Sequence, residues 1–334
     1  MHELNSFFNL SPELILQAAE SLSFRCTGRI LQLNSLENRV YEVEVECADP
    51  KTRLDNFKVI KFYRPDRWTL EQINQEHQLV QELDKEDIPV CLPHQNSSGE
   101  YVSLEASTGI RFCLYPKVAG RLADELDRNS LTTLGRLIAR MHLICAKQKV
   151  SHKEDLNSTG LLASSIDILE NSQNLPDMIR DRFLTVADEL SAMLDQRMAD
   201  VHCQRIHGDL HLGNILWDRE KPLFLDFDDV LNGPAVQDIW LIQPGRDPVS
   251  VENREILLDA YQEFKHFDYD QLDLIELLRA LRIIKFNAWI DVRWDDPSFP
   301  LTFPNFKSLE YWREQLNSLE EILSIHQSNE GSFW

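Results

Sequence analysis

The clearest alternation along the chain is YEVEVE at residues 41–46, where Tyr41, Val43 and Val45 point one way and Glu42, Glu44 and Glu46 the other. A period of two predicts a strand with one buried and one wet face. FKVIKFY at 57–63 predicts a second strand, with Phe57, Val59, Lys61 and Tyr63 on one face. Ahead of both, SPELILQAAESL sets Ser11 at an N-cap and Pro12 at the first helical position, so a short amphipathic helix is expected. TLEQINQEHQLVQEL opens with the capping box Thr69 and Gln72. Its apolar stripe holds Ile73, Val80 and Leu83, and Glu76 falls in the same stripe. YVSLEA and RFCLYP predict two more strands before a break over residues 116–120.

After that break the period changes. LTTLGRLIARMHLI carries Leu134, Leu137, Ile138 and Met141 at helical spacing, and further helices are expected over 177–195, 251–264 and 270–292. Between them, ILW and PLFL joined by WDREKP predict a short hairpin. The reading is an α+β fold with a small β-rich lobe over residues 1–115 and a larger, mostly helical lobe over 116–334. No internal repeat stands out, and a polar tail follows Ile325.

Composition narrows the functional classes. A net charge of −21 over 334 residues excludes a general nucleic-acid binder, which needs basic stripes to displace counterions. Cys26, Cys47, Cys91, Cys113, Cys145 and Cys203 are scattered without a C-x-x-C pair, as expected for free thiols in a reducing compartment. The first residues lack a basic region followed by an apolar run, and no stretch approaches the ~18 apolar residues of a membrane helix. A cytoplasmic protein without membrane insertion is expected.

RIHGDLHLGNILWD, at 205–218, packs polar groups into what otherwise reads as a buried turn and strand. Asn214 follows Asp209 by five positions, and the hairpin would carry Asp226 back beside Asn214. Asp226 offers a carboxylate and Asn214 an amide oxygen, both hard ligands suited to Mg²⁺, while Asp209 remains to accept a hydroxyl proton. Those are the parts of a phosphoryl-transfer site, with Asp209 and Asp226 as its catalytic carboxylates. An isolated D-x-x-x-x-N is a common polar turn; H-G-D, G-N-I-L and LDFDD together are not.

The first lobe carries two misplaced charges of opposite sign. Lys61 sits on an inward strand face and Glu76 on an apolar helix stripe, so an ion pair on the nucleotide phosphates is expected. Either alone would read as a snorkelling or boundary residue. The segment ILQLNSLENRVYEVE replaces a glycine-rich phosphate loop and has no Gly between Leu31 and Glu46. Ser35 is the chosen phosphate contact there, although Asn34, Ser35 and Asn38 are also ordinary turn formers. CLYPKVAG is read as the hinge, with the adenine of ATP against the Pro116 carbonyl and the Val118 N–H.

Other polar residues carry blander expectations. No Cys or acidic partner has zinc-ligand spacing beside His202, His207 and His211, and His207 is read as structural, hydrogen-bonding within the loop. Asp228 and Asp229 are read first as solvated turn residues and second as indirect helpers of the metal, and Asp238 as an anchor for the catalytic loop through backbone N–H groups. WDDPSFPLTFP, residues 294–304, is either a substrate lip or a loop packed on the helical lobe, with packing preferred.

Protein kinases carry H-R-D and D-F-G; here His207-Gly208-Asp209 and DFDD depart from both. The H-G-D-x-x-x-x-N loop resembles that of the choline, aminoglycoside and homoserine kinases. More narrowly, LNSLENRVYEVE, VIKFYRPDRWTLEQINQEHQ, HGDLHLGNILW, LDFDDVLNGPAVQDIW and WDDPSFPLTFP resemble the bacterial stress response kinases, over nearly the whole chain. Those are serine/threonine protein kinases with the choline-kinase-like bilobal fold. The resemblance implies a monomeric, cytoplasmic, Mg²⁺- and ATP-dependent enzyme that phosphorylates protein Ser/Thr, itself included, in stress survival. It assigns Asp209 as the catalytic Asp, Asn214 and Asp226 as Mg²⁺ ligands, and Ser35 as a nucleotide-loop contact. Two other readings stay open: a small-molecule kinase for an amino alcohol, sugar or aminoglycoside, and a non-catalytic nucleotide sensor.

Overall fold

The computed structural model describes residues 7–153, 155–156 and 160–328, the side chains of 160 and 161 aside. In chain order the elements are α1 (Pro12–Glu20), β1 (Cys26–Gln32), β2 (Arg39–Val45), β3 (Phe57–Phe62), α2 (Leu70–Lys85), β4 (Ser103–Leu104), β5 (Arg111–Pro116) and α3 (Arg128–Cys145). There follow α4 (Gly160–Glu170), α5 (Asp177–Met198), β6 (Gln204–Ile206), β7 (Ile215–Asp218), β8 (Lys221–Phe224), β9 (Leu231–Gly233), α6 (Val236–Trp240), α7 (Pro248–Gln262), α8 (Ile275–Val292), α9 (Ser298–Thr302) and α10 (Leu309–Gln327). The chain forms two compact units: residues 1–144 with 211–229, and residues 145–210 with 230–334.

In the first unit, five strands form one antiparallel sheet in the order β1-β2-β3-β5-β4. Alternation decides which side each residue faces. Tyr41, Val43 and Val45 join Ile60, Phe62, Phe112 and Leu114 in a core closed by Ile15, Ala18 and Ala19 of α1. Each such fully buried aliphatic or aromatic side chain stabilises the unit by about 1.5–3 kcal/mol. Ser11 caps α1 by accepting the Leu14 N–H at 3.2 Å, and Pro12 takes the first helical position as expected. Across the sheet, Tyr63 and Cys113 pack with Ile73 of α2. Lys61 lies opposite Cys113 in the β3–β5 register. The strand expected around YVSLEA shrinks to the two residues of β4.

The second unit is mostly helical, with the short β6–β9 pair inset. Asn232 on β9 holds the segment after α3: its side chain exchanges 3.0 Å hydrogen bonds with both the N–H and the carbonyl of Val150, and its carbonyl accepts the Leu156 N–H at 2.7 Å. The helix expected over 270–292 divides into a 3-10 turn at Tyr269–Leu274, capped by Asp268, and α8. α4 and α10 add to the expected helices. Trp312, Leu316, Leu319 and Leu323 of α10 recur at helical spacing, and Trp312 stacks edge-on against Phe183 of α5, centroids 5.4 Å apart. In residues 294–304, Phe299 and Asp296 are buried and Asp296 caps the turn through the Ser298 N–H at 3.1 Å, while Leu301 is 83 % exposed.

Candidate active site

The hairpin sets Asn214 against Leu225, the residue before Asp226. β7 pairs with β8 in the register Ile215↔Phe224 to Asp218↔Lys221, leaving a two-residue turn in which Arg219 takes a left-handed φ of 59°. The ladder runs one step further, because the Leu225 N–H donates to the Asn214 carbonyl at 2.9 Å. Asn214 ends a 3-10 turn, Leu212–Asn214, whose start is capped by His211: its Nδ1 accepts the Gly213 N–H at 2.9 Å. A Cβ on Gly213 would sit 2.6 Å from the His211 ring, so a side chain there would displace the cap. Asp226 has a left-handed φ of 56°. That conformation costs a non-glycine residue about 1–2 kcal/mol and holds only where its surroundings enforce it.

Those surroundings include Lys61. Its side chain is 10 % exposed, and its ammonium donates to Asp226 Oδ1 at 2.9 Å and to Asp228 Oδ1. Burial works against this charge, but Asp226, Asp228 and Glu76 outweigh it and hold the ammonium well above its ordinary range. Glu76 is buried on α2 and adds attraction, and Lys61 bonds Asp226 and Asp228 directly. Beside the attraction of Glu76, Lys61 thus carries a two-carboxylate grip. Asp228 is 2 % exposed, and a carboxylate so buried needs a cation beside it. The expectation that Asp228 is a solvated turn residue is corrected accordingly.

The β1–β2 loop, which carries Ser35 half-buried, is fixed by side chains instead of glycines. Asn38 donates to Asp228 Oδ2 at 2.7 Å and accepts the Arg64 N–H at 3.3 Å. Glu37 pairs with Arg64 at 3.0 Å and with Arg67 at 3.1 Å, and Arg67 reaches on to Asp229 at 2.8 Å. The loop is therefore tied twice to the segment after Asp226. Pro116 ends β5 opposite Lys58, and Val118 lies half-buried two residues on. Between them Lys117 donates its N–H to the Phe57 carbonyl at 3.3 Å and its ammonium to Glu42 at 2.9 Å, which fastens this stretch to the sheet.

Asp209 belongs to the second unit. Asp238, fully buried on α6, accepts the His207 N–H at 2.8 Å and the Gly208 N–H at 2.9 Å, one on each carboxylate oxygen. Gln237 adds a 3.0 Å bond to the Gly208 carbonyl. Asp238 is thus the loop anchor that the sequence led us to expect. Gly208 takes φ 87°, which explains why glycine stands where protein kinases carry Arg. Asp209 itself accepts a hydrogen bond from Arg282 of α8 at 2.6 Å, with 27 % of its side chain exposed.

Within the first unit, then, Lys61 bonds Asp226, the hairpin sets Asn214 against the residue before it, Glu76 acts from α2, and Ser35 sits in the loop that Asn38 ties to Asp228. Asp209 is four intervening residues from Asn214 along the chain. Arg67 and Arg282 were not legible as site residues, nor was the bond between Asn38 and Asp228. Arg282 lies 73 positions from Asp209, and the other links bridge 162 and 190 positions. Asn214 and the half-exposed Asp226 carboxylate present hard oxygen donors, a set that fits a divalent cation. Among the described residues, no helix is long and apolar enough to cross a membrane.

Comparison with known proteins agrees with this geometry. The model of the phosphotransferase enzyme family APH matches residues 29–275. Stress response kinase A of Escherichia coli K12 is 35 % identical over 323 residues, 96 % of this chain and 95 % of that protein. The Salmonella typhimurium protein named serine/threonine protein kinase RdoA is 35 % identical over 324 residues, with the same coverage. Among solved structures, amicoumacin kinase hAmiN in complex with AMP-PNP, Ca²⁺ and Ami superposes with a TM-score of 0.72 at 20 % identity, covering 95 % of this chain and 96 % of that one. A microcompartment-associated aminopropanol kinase gives 0.70 at 17 % identity, covering 94 % and 98 %. These likenesses establish the α+β, bilobal aminoglycoside/choline kinase-like fold. The chain belongs to the phosphotransferase enzyme family, and it is a kinase that phosphorylates an alcohol.

Proposed function

We propose that this kinase transfers the γ-phosphate of ATP to Ser and Thr hydroxyls of proteins, its own included, as a cytoplasmic monomer serving bacterial stress response and survival. What carries the reading is the grip of Lys61 on Asp226 at 2.9 Å, next to the hairpin that delivers Asn214. The acceptor class rests on 35 % identity over 96 % of the chain to a relative named a serine/threonine protein kinase. We further take residues 1–115 as the nucleotide-binding lobe and 116–334 as the catalytic and substrate lobe.

In this reading Asp209 orients the acceptor hydroxyl and takes its proton, and in-line positioning supplies much of the rate. Asn214 and Asp226 would hold Mg²⁺, which when bound neutralises charge on the phosphates. Lys61 fixes the α/β-phosphates, with Glu76 sustaining its charge. Ser35 contacts phosphate from the β1–β2 loop, and the Pro116 carbonyl and Val118 N–H pair with adenine. The N–H groups of His207 and Gly208, spent on Asp238, keep Asp209 in one orientation.

The test is phosphoryl transfer from radiolabelled ATP with Mg²⁺, comparing the wild type with Asp209→Ala. Each is offered a generic protein acceptor and, separately, small amino alcohols and aminoglycosides. Label in protein that drops by about 10²–10⁴-fold in the variant supports the reading. Label confined to a small molecule would sink it in favour of a small-molecule kinase.

A further inference from the structure

α8 begins its exposed face at the residue that touches Asp209. Arg282, Phe286 and Trp289 recur at i, i+4 and i+7, which places them in one stripe along the helix, and Arg293 follows as its C-cap. Arg282 bonds Asp209 at 2.6 Å. At a rise of ~1.5 Å per residue, Phe286 lies ~6 Å and Trp289 ~10 Å further along the axis.

Phe286 and Trp289 are not isolated surface aromatics. Their rings stack with centroids 5.6 Å apart at 23°, and Phe303 closes edge-on against both, at 5.7 and 6.2 Å. Buried Phe299 supports Trp289 from behind at 4.8 Å, and the Arg293 guanidinium lies 5.5 Å over the indole. Yet Phe286 keeps 42 % of its surface in water. A soluble unit that builds a braced aromatic platform and leaves its outer part wet has made a surface for an apolar side chain. The bracing also means that little conformational freedom is lost on binding.

We infer that this platform reads the acceptor: it takes an aromatic or aliphatic side chain of a polypeptide whose Ser or Thr hydroxyl is at Asp209. The inference rests on the reading of Asp209 as the acceptor-facing residue of a protein kinase. The occupant is set by distance along α8. An extended peptide advances ~3.3 Å per residue, so a side chain over Phe286 or Trp289 lies two to four residues from the phosphorylated one. A small alcohol bound at Asp209 would span too little of the stripe to reach both ends. Phe286, Trp289 and Phe303 are in this view specificity residues, and α8 joins them rigidly to Arg282.

The experiment is a positional scan with full-length enzyme. Peptides carry one Ser with Leu or Phe placed in turn at each of the five positions on either side, Ala elsewhere, and kcat/KM is measured for the wild type, Phe286→Ala and Phe303→Ala. The wild type is expected to prefer the apolar residue over Ala by about five- to tenfold at a position two to four residues from Ser. That ratio is expected to fall to near one in both variants, with KM carrying most of the change. Two variants are used so that misfolding of one, read from its melting curve, does not decide the matter. Peptide phosphorylation with a flat profile, or a preference that survives in a folded variant, overturns this inference and leaves the protein-kinase reading standing. Label in small alcohols but in no peptide or protein overturns both.

Discussion

The carboxamide of Asn38 donates to the buried carboxylate of Asp228 at 2.7 Å, and so ties the β1–β2 loop to the segment that carries Asp226. Asp228 shares the Lys61 ammonium with Asp226, so one buried group organises both the loop and the lysine. Replacing it by Asn keeps the shape and removes the charge. Lys61 would retain Asp226, so the cost is that of weakening a charge-assisted bond, about 2 kcal/mol, not that of orphaning a buried charge. Asp228→Asn is therefore expected to lower the melting temperature by several degrees and to raise KM for ATP about tenfold. Asn38→Ala should reproduce the KM effect with a smaller thermal one, because it leaves Lys61 paired. Melting curves and ATP titrations check this; unchanged ATP affinity in both variants would refute a linking role.

Asp238 makes a second prediction. Its two oxygens receive the N–H groups of His207 and Gly208, both inside the second unit where water cannot replace them. Asp238→Ala strands two buried donors, each at about 1–3 kcal/mol, whereas Asp238→Asn keeps one acceptor and should recover part of the loss. Since these bonds set the backbone at Gly208, the residue before Asp209, the phosphoryl-transfer rate should fall more steeply than stability. Denaturant midpoints beside kcat for the two variants test it; equal kcat in Asn and Ala variants of matched stability would argue against a positioning role.

How far the sequence led depends on the range of each interaction. The β7–β8 hairpin was legible because register follows from the short turn between two apolar runs, and the Leu225–Asn214 bond extends it. The Ser11 cap of α1 is likewise a three-residue affair. Lys61 was visible as a charge on an inward face, but its bonds to Asp226 and Asp228, 165 and 167 positions away, were not. Burial of Asp228 inside the run DFDD gave no local signal, because a polar residue beside others of its kind reads as solvated. Arg282 was hidden for the converse reason. An exposed arginine on a helix is ordinary until the fold sets it against Asp209.

Gly213 supplies a third prediction, about the metal. Its missing Cβ leaves room for the His211 ring that caps the turn leading into Asn214. In Gly213→Ala the new methyl would meet the ring at 2.6 Å, so the cap must swing away and Asn214 lose its fixed approach. The fold has little else invested in this exposed turn, and its loss should cost the protein no more than about 1 kcal/mol. The expected result is a severalfold higher Mg²⁺ concentration for half-maximal transfer at nearly constant melting temperature. Asn214→Ala should show the same shift, and chelation of divalent cations should abolish transfer in all three proteins. A Gly213→Ala enzyme with the wild-type Mg²⁺ requirement would disconnect the turn from the metal.

The last prediction concerns pH and a site far along the chain from the chemistry. Glu276, at the start of α8, accepts from Arg246 at 2.5 Å and from Arg279 at 3.1 Å, and Arg246 also reaches Glu321 at 2.8 Å. Burial pushes the Glu276 carboxyl up, but the hydrogen bonds and charges of Arg246 and Arg279 outweigh it and hold it below its ordinary value. With the folded pKa below the unfolded one of about 4.3, unfolding takes up a proton. The stabilisation is then complete above the unfolded pKa and is lost as pH falls through the folded one. Because Arg246 is 37 % exposed, solvent screens part of the attraction, and about 1 kcal/mol is the reasonable scale. Glu276→Gln should accordingly melt a few degrees below the wild type at pH 7, and the two curves should converge between about pH 4.5 and pH 3. Raising the salt concentration at pH 7 should narrow the gap in the same direction, since it weakens the same ion pairs. A gap that stayed constant down to pH 3 would mean that Glu276 acts through packing and not through its charge.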